Sequence, residues 1–184
     1  MKREEALKLL HENMDSVNLR KHCYAVEATM RILAKYFGED EDLWGITGLV
    51  HDLDYEKYPK EHPTIGVKLF EKKKYPTEVI EAVKSHAWGY KNGMPEPKTN
   101  MEWALYCCDE LTGLIVAVAL TRPSKKLADV DLKAVKKKWK EKSFAKGVNR
   151  DQIVKCEEKL GIKLDEFIEI TLKAMQSIAA ELGL

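Results

Sequence analysis

Residues 101–120 read MEWALYCCDELTGLIVAVAL, and the fold turns on what that run forms. Apolar side chains occupy nearly every side of it, with none of the two-residue alternation of a half-buried strand. A helix apolar all round belongs inside a protein core or inside a membrane. The most apolar part, Leu111–Leu120, is about half of the roughly 20 residues a membrane span needs. The run is therefore read as the central buried helix, stopped near Pro123.

Upstream of it, residues 89–99 carry two Gly and two Pro and form the clearest loop in the chain. Pro63 and Pro76 each suit a first helical position, which predicts helices over 63–73 and 76–87. Residues 41–53 read as a helix with Leu43, Ile46, Leu49 and Val50 inward, and Gly45 and Gly48 leave room for another backbone. Further back, Leu19, Cys23, Val26, Met30, Leu33 and Phe37 recur every three or four residues on a helix that stops at Gly38.

Downstream, a Lys-rich helix is predicted over 131–142. Asn149 and Gln152 resemble a capping box opening a helix that ends at Gly161. The last helix carries Leu164, Phe167, Ile168, Met175, Ile178 and Leu182 on one face. No strand, repeat or linker is evident. The expectation is an all-α fold in which residues 1–184 make one helical domain. Its motif-bearing core covers about 16–120, and the helices of 124–184 pack on it.

Composition agrees with a folded, water-facing protein. Hydrophobic residues make 45% of the chain and charged residues 33%, which excludes disordered, collagenous and membrane-spanning classes. Lys and Arg number 31 against 30 Asp and Glu, so no global basic field draws in nucleic acid, and no specific nucleic-acid binding is expected. Cys23, Cys107, Cys108 and Cys156 form no C-x-x-C pair. Met1–Leu10 is charged and opens directly into a helical pattern. A reduced, cytoplasmic protein without a secretory leader is the expectation.

The chemistry-bearing residues are placed unevenly. His11 reads as a surface residue on an amphipathic helix. His22 borders the apolar face of its helix, His51 and Asp52 close the apolar 41–53 segment, and Asp109 interrupts the 101–120 run. An ionised Asp is seldom buried unless it is paired or bound to a metal. Two arrangements satisfy these residues. One is a divalent ion shared by inward faces of three helices, with imidazole and carboxylate donors suiting Mn, Fe, Co, Ni or Zn. The other is a buried Asp–His hydrogen-bonded pair.

The order His22, His51-Asp52, Asp109 resembles the H…HD…D signature of the HD superfamily of metal-dependent phosphohydrolases. His62-Pro63-x-x-Gly66 matches a stretch common after that motif, and His86 sits at a helix end where many members carry another His. The segments His-Asp-Leu-Asp-Tyr (51–55) and Leu-Thr-Gly-Leu-Ile-Val-Ala (111–117) are similar to those of small, stand-alone HD-type hydrolases. The resemblance implies that His22, His51, Asp52 and Asp109 hold a first metal ion. It leaves His62 and His86 open between a second ion bridged by Asp52, a catalytic part beside a single ion, and solvated helix ends.

Asp52, His86 and Asp54 are the candidate catalytic groups, with Asp54 the nearest carboxylate to polarise water. The resemblance implies one or two divalent transition-metal ions and a small phosphorylated substrate such as a nucleotide. A di-iron oxygenase and a non-catalytic nucleotide-binding module are the alternatives. Lys146 and Arg150, together with the Lys-rich helix, are candidate phosphate contacts. Trp88 and Tyr90 are candidates to stack on a base, and Cys107 and Cys108 are read as packing residues.

Overall fold

A computed structural model describes residues 2–184, and every regular element among them is helical. The order is α1 (Arg3–Asn13), α2 (Val17–Phe37), α3 (Glu41–Val50), α4 (Thr64–Lys72), α5 (Thr77–Ser85), α6 (Asn100–Leu120), a 3₁₀ turn (Leu127–Asp129), α7 (Leu132–Trp139), α8 (Arg150–Ile153), α9 (Lys155–Leu160), α10 (Leu164–Ser177) and α11 (Ala179–Leu182). The all-α expectation holds.

Helix α6 is long and apolar enough to cross a membrane, yet it is the axis of the larger core. Leu105, Leu111, Leu114 and Ile115 are fully buried on it, against α2 and the C-terminal helices. Each such side chain contributes roughly 1.5–3 kcal/mol of burial. A second core gathers α1, α3, α4 and α5 around Leu10, Leu49, Phe70 and Val83.

Helices α2 and α3 pack at backbone contact. A Cβ added at Gly48 would lie 2.9 Å from the Val26 carbonyl oxygen and 3.0 Å from Glu27 Cα, so only glycine permits this approach. Gly45 instead makes room for the Arg31 side chain. Arg31 and Arg3 both pair with the buried Glu27, which ties α1 to the same contact.

Several boundaries differ from the sequence reading. Pro63 and Pro76 stand one position earlier than expected, as the residues before α4 and α5. The 149–161 segment divides at Val154, and the last helix divides at Ile178, whose φ of −117° and ψ of 21° depart from helical values. Asn149 caps α8 by accepting the Gln152 N–H, but the reciprocal half of the capping box is missing. The Gln152 side chain reaches across to the Tyr106 carbonyl instead.

The most consequential difference is at α3, which ends at Val50 rather than near Leu53. Beyond it, Leu53 N–H bonds to Val50 O and Tyr55 N–H to Asp52 O, both three residues back. These bonds end the regular α-helix, although His51 keeps helical angles of φ −55° and ψ −38°. At this helix end the tips of the two side chains meet, with His51 Nε2 3.5 Å from Asp52 Oδ2.

Candidate metal centre

Five elements deliver the polar groups. His22 lies on α2, His51 and Asp52 on the turn after α3, His62 just ahead of α4, His86 at the end of α5, and Asp109 on α6. Their donor atoms form two nests. In the first, His22 Nε2 is 3.0 Å from Asp109 Oδ1 and 3.6 Å from Asp52 Oδ2, while His51 Nε2 is 3.5 Å from Asp52 Oδ2 and 3.6 Å from Asp109 Oδ1. In the second, the other Asp52 oxygen, Oδ1, is 3.3 Å from His62 Nε2 and 3.6 Å from His86 Nε2, with the two imidazole nitrogens 3.0 Å apart. Asp52 thus belongs to both, one oxygen in each.

The far side of every ring is committed. His51 Nδ1 faces Gly48 O at 2.8 Å, His86 Nδ1 faces Val83 O at 2.5 Å, and His62 Nδ1 faces Asp54 Oδ1 at 2.6 Å. A carbonyl or a carboxylate can only accept, so each Nδ1 donates. His22 Nδ1 is 3.3 Å from Thr112 Oγ1, whose own proton goes to the Asp109 carbonyl, so this ring also donates through Nδ1. In neutral rings all four Nε2 atoms therefore present lone pairs to the two nests. His62 Nε2 and His86 Nε2 then face each other with no proton between them, and the wholly buried His51 Nε2 has no hydrogen-bond partner.

Converging lone pairs and carboxylates need a positive charge at their centre. Donors bonded to one ion at about 2.1 Å stand roughly 3.0–3.4 Å apart for octahedral to tetrahedral angles, close to the separations found. Residues with this donor set and spacing fit a divalent transition metal. The electrostatics agree. Burial lowers the pKa of His51, but Asp52 and Asp109 more than reverse this and raise it to about 9. Burial favours protonation of Asp52, yet His51, His86 and His62 hold its carboxyl well below the usual range. His22 and His51 do the same for the partly exposed Asp109.

Asp54 is not where a water-polarising group would stand. It is buried behind His62, with Oδ1 on the ring and Oδ2 accepting the Gly66 N–H at 2.6 Å. A Cβ at Gly66 would come within 3.3 Å of its carboxyl carbon, which accounts for the glycine of the His-Pro-x-x-Gly stretch. Asp54 is buried and does not line the cleft, and its contact is with the far side of the His62 ring.

The nests open into a cleft of 510 Å³ reached by Asp52, His62, His86 and Asp109, with Tyr55, Tyr90, Glu110, Gly147, Asn149 and Gln152 among its walls. Burial, with Asp109 beside it, raises the Glu110 pKa. Of the candidate stacking groups, Tyr90 is at the cleft and 65% exposed, whereas Trp88 packs on Trp103 and Tyr106. Arg150 does not face the cleft. Its guanidinium bonds the carbonyls of Trp139 and Phe144. The lysines of α7 border a separate surface hollow. His11 is exposed and bonded to Tyr24, and Cys107 and Cys108 are buried in the core.

Sequence reasoning did not single out Thr112, Tyr55 or Glu110, nor the cleft position of Gln152. Thr112 had a usable signal, since it follows Asp109 by three on a helix and so shares its face. Gln152 had none, because its side chain is defined only by the packing of α8 on α6.

Ribonuclease Y of Acholeplasma laidlawii (strain PG-8A) is 34% identical over 99 residues, which cover 52% of this chain and 18% of that protein. The chain thus corresponds to less than a fifth of that relative's length. No solved structure gives a significant match. A family model described as the HD domain matches residues 19–113, which contain all the positions converging on the two nests. With more than half of its residues matched, the chain belongs to the HD domain family.

Proposed function

We propose that the protein is a metal-dependent phosphohydrolase acting on a nucleotide or another small phosphate ester. His22, His51, Asp52 and Asp109 would hold one divalent ion, and His62, His86 and Asp52 a second. The observation that carries this reading is the convergence of four bare Nε2 atoms on the two oxygens of Asp52, each ring fixed from behind. The bound ions supply Lewis acidity, making water more acidic and neutralising charge on phosphoryl oxygens. The chain's own part is positioning. Gly48, Val83, Asp54 and Thr112 fix the tautomer and tilt of the rings, so little reorganisation is needed when a substrate arrives. Asp52 reaches both nests and keeps them in register. The half-open cleft, roomy enough for a small-molecule ligand, holds the organic part of the ester.

A second reading, cleavage of an RNA phosphodiester, is favoured by the similarity to a protein named ribonuclease Y. The test is a panel of phosphomonoesters, nucleotides and a short RNA, with Mn²⁺ or Co²⁺ supplied. Metal-stimulated release of phosphate or nucleotide is expected, and Asp52→Asn should abolish it with the helical spectrum intact. Turnover should be the same under nitrogen. Oxygen consumption with reduced iron and substrate would instead identify a di-iron oxygenase. Tight binding of one nucleotide without turnover would identify a regulatory module.

A further inference from the structure

One wall of the cleft is built from residues that the metal centre does not require. Glu110 Oε2 accepts the Asn149 N–H at 3.0 Å, which pins its carboxylate beside Asp109. Gln152 is buried, and its Nε2 donates to the Tyr106 carbonyl at 2.7 Å. That bond fixes the amide and leaves Oε1 as an acceptor with no partner among the described residues, on a side chain that lines the cleft. Gly147, Asn149 and Gln152 all lie beyond the matched family segment, so this wall belongs to the C-terminal part of the chain. Asp52, Asp109 and Glu110 are the charged non-His residues lining the cleft, and no Lys or Arg joins them among the described residues. Lys60 and Lys91 border a separate groove beyond Tyr90, where Lys91 Nζ bonds the Lys60 carbonyl at 2.5 Å, and the exposed Lys146, next to Gly147 in sequence, is not among the lining residues.

We propose that this wall selects a phosphomonoester with one phosphoryl group on an uncharged, hydrogen-bond-donating organic part. Gln152 Oε1 accepts that hydrogen bond, Tyr55 and Tyr90 cover the organic part, and Glu110 repels any second phosphate. The inference rests on the phosphohydrolase reading, and it follows from charge. Two divalent ions would offset Asp52, Asp109 and a single phosphoryl group, leaving the Glu110 charge uncompensated. Each further phosphate brings about one more negative charge next to Glu110, with no cation inside the cleft to meet it. Discrimination against the wrong ligand by like charge is a recognised route to specificity. A fixed acceptor facing the cleft adds affinity for esters that bring a donor to it in place of water.

The experiment compares adenosine 5′-mono-, di- and triphosphate on the Mn²⁺-loaded full chain, by calorimetric binding and by phosphate release in parallel. The monophosphate should be favoured at least about tenfold in affinity and in kcat/KM. Glu110→Gln keeps an oxygen for the Asn149 N–H and should erase most of that preference. Gln152→Ala should weaken adenosine monophosphate while sparing p-nitrophenyl phosphate, which has no donor to offer. Equal or tighter binding of the triphosphate, an unchanged preference in Glu110→Gln, or faster cleavage of RNA than of any monoester would overturn the inference. A binding preference without turnover would uphold the selectivity and defeat the phosphohydrolase reading. Turnover without preference would do the reverse.

Discussion

Asp54 shows how much of the site depends on one acceptor. Its two oxygens serve two donors, His62 Nδ1 and the Gly66 N–H, each at 2.6 Å. Asp54→Asn can serve only one of them, because its amide nitrogen is itself a donor. The variant should fold yet bind one of two ions 10–100-fold more weakly, the usual cost of losing the group behind a ligating His. A metal titration that shows unchanged affinity would remove Asp54 from this role. At this scale the sequence was legible where a resemblance existed. His22, His51, Asp52, His62, His86 and Asp109 do come together. It was illegible for Asp54, because proximity along the chain to the His-Asp pair says nothing about which way a side chain turns.

Among the elements, the contact of α2 with α3 decides the first nest, since His22 rides on one and His51 follows the other. Gly48→Ala would place a methyl group 2.9 Å from the Val26 carbonyl oxygen, against backbone that cannot swing aside. Overpacking of this kind costs about 1–3 kcal/mol. A lower melting temperature and weaker metal binding should therefore appear together in this variant. A fall in stability with metal affinity untouched would show that the helix contact does not set the nest. The close approach was visible in the sequence at Gly48, whereas Gly45 makes room for the Arg31 side chain instead of a backbone. The early end of α3 was not visible, because Leu53 continues the apolar pattern, no Gly or Pro intervenes, and only the i to i−3 hydrogen bonds mark the end of the helix. The breaks at Val154 and Ile178 were hidden for the same reason, since neither residue is Gly or Pro.

For the whole molecule, five elements converge on buried charge that no apolar packing can satisfy, so bound ions should be part of its stability. Ligands that bind only the folded state stabilise it by about 2.7 kcal/mol at a hundredfold excess over Kd. Removing them with a chelator should lower the melting temperature by roughly 5–10 °C for a chain of this size. An unchanged melting curve would mean that Asp–His pairing alone supports the centre. The all-helical architecture was readable from periodicity because each long helix buries a stripe. The cleft was not, since Glu110, Asn149 and Gln152 meet only through the packing of α8 on α6. If Asp52 joins two metal sites, elemental analysis of Mn²⁺-loaded protein should find about two ions per wild-type chain, one in His86→Ala, and a sharp loss of both in Asp52→Ala. An Asp52→Ala variant that keeps the wild-type metal content would contradict it.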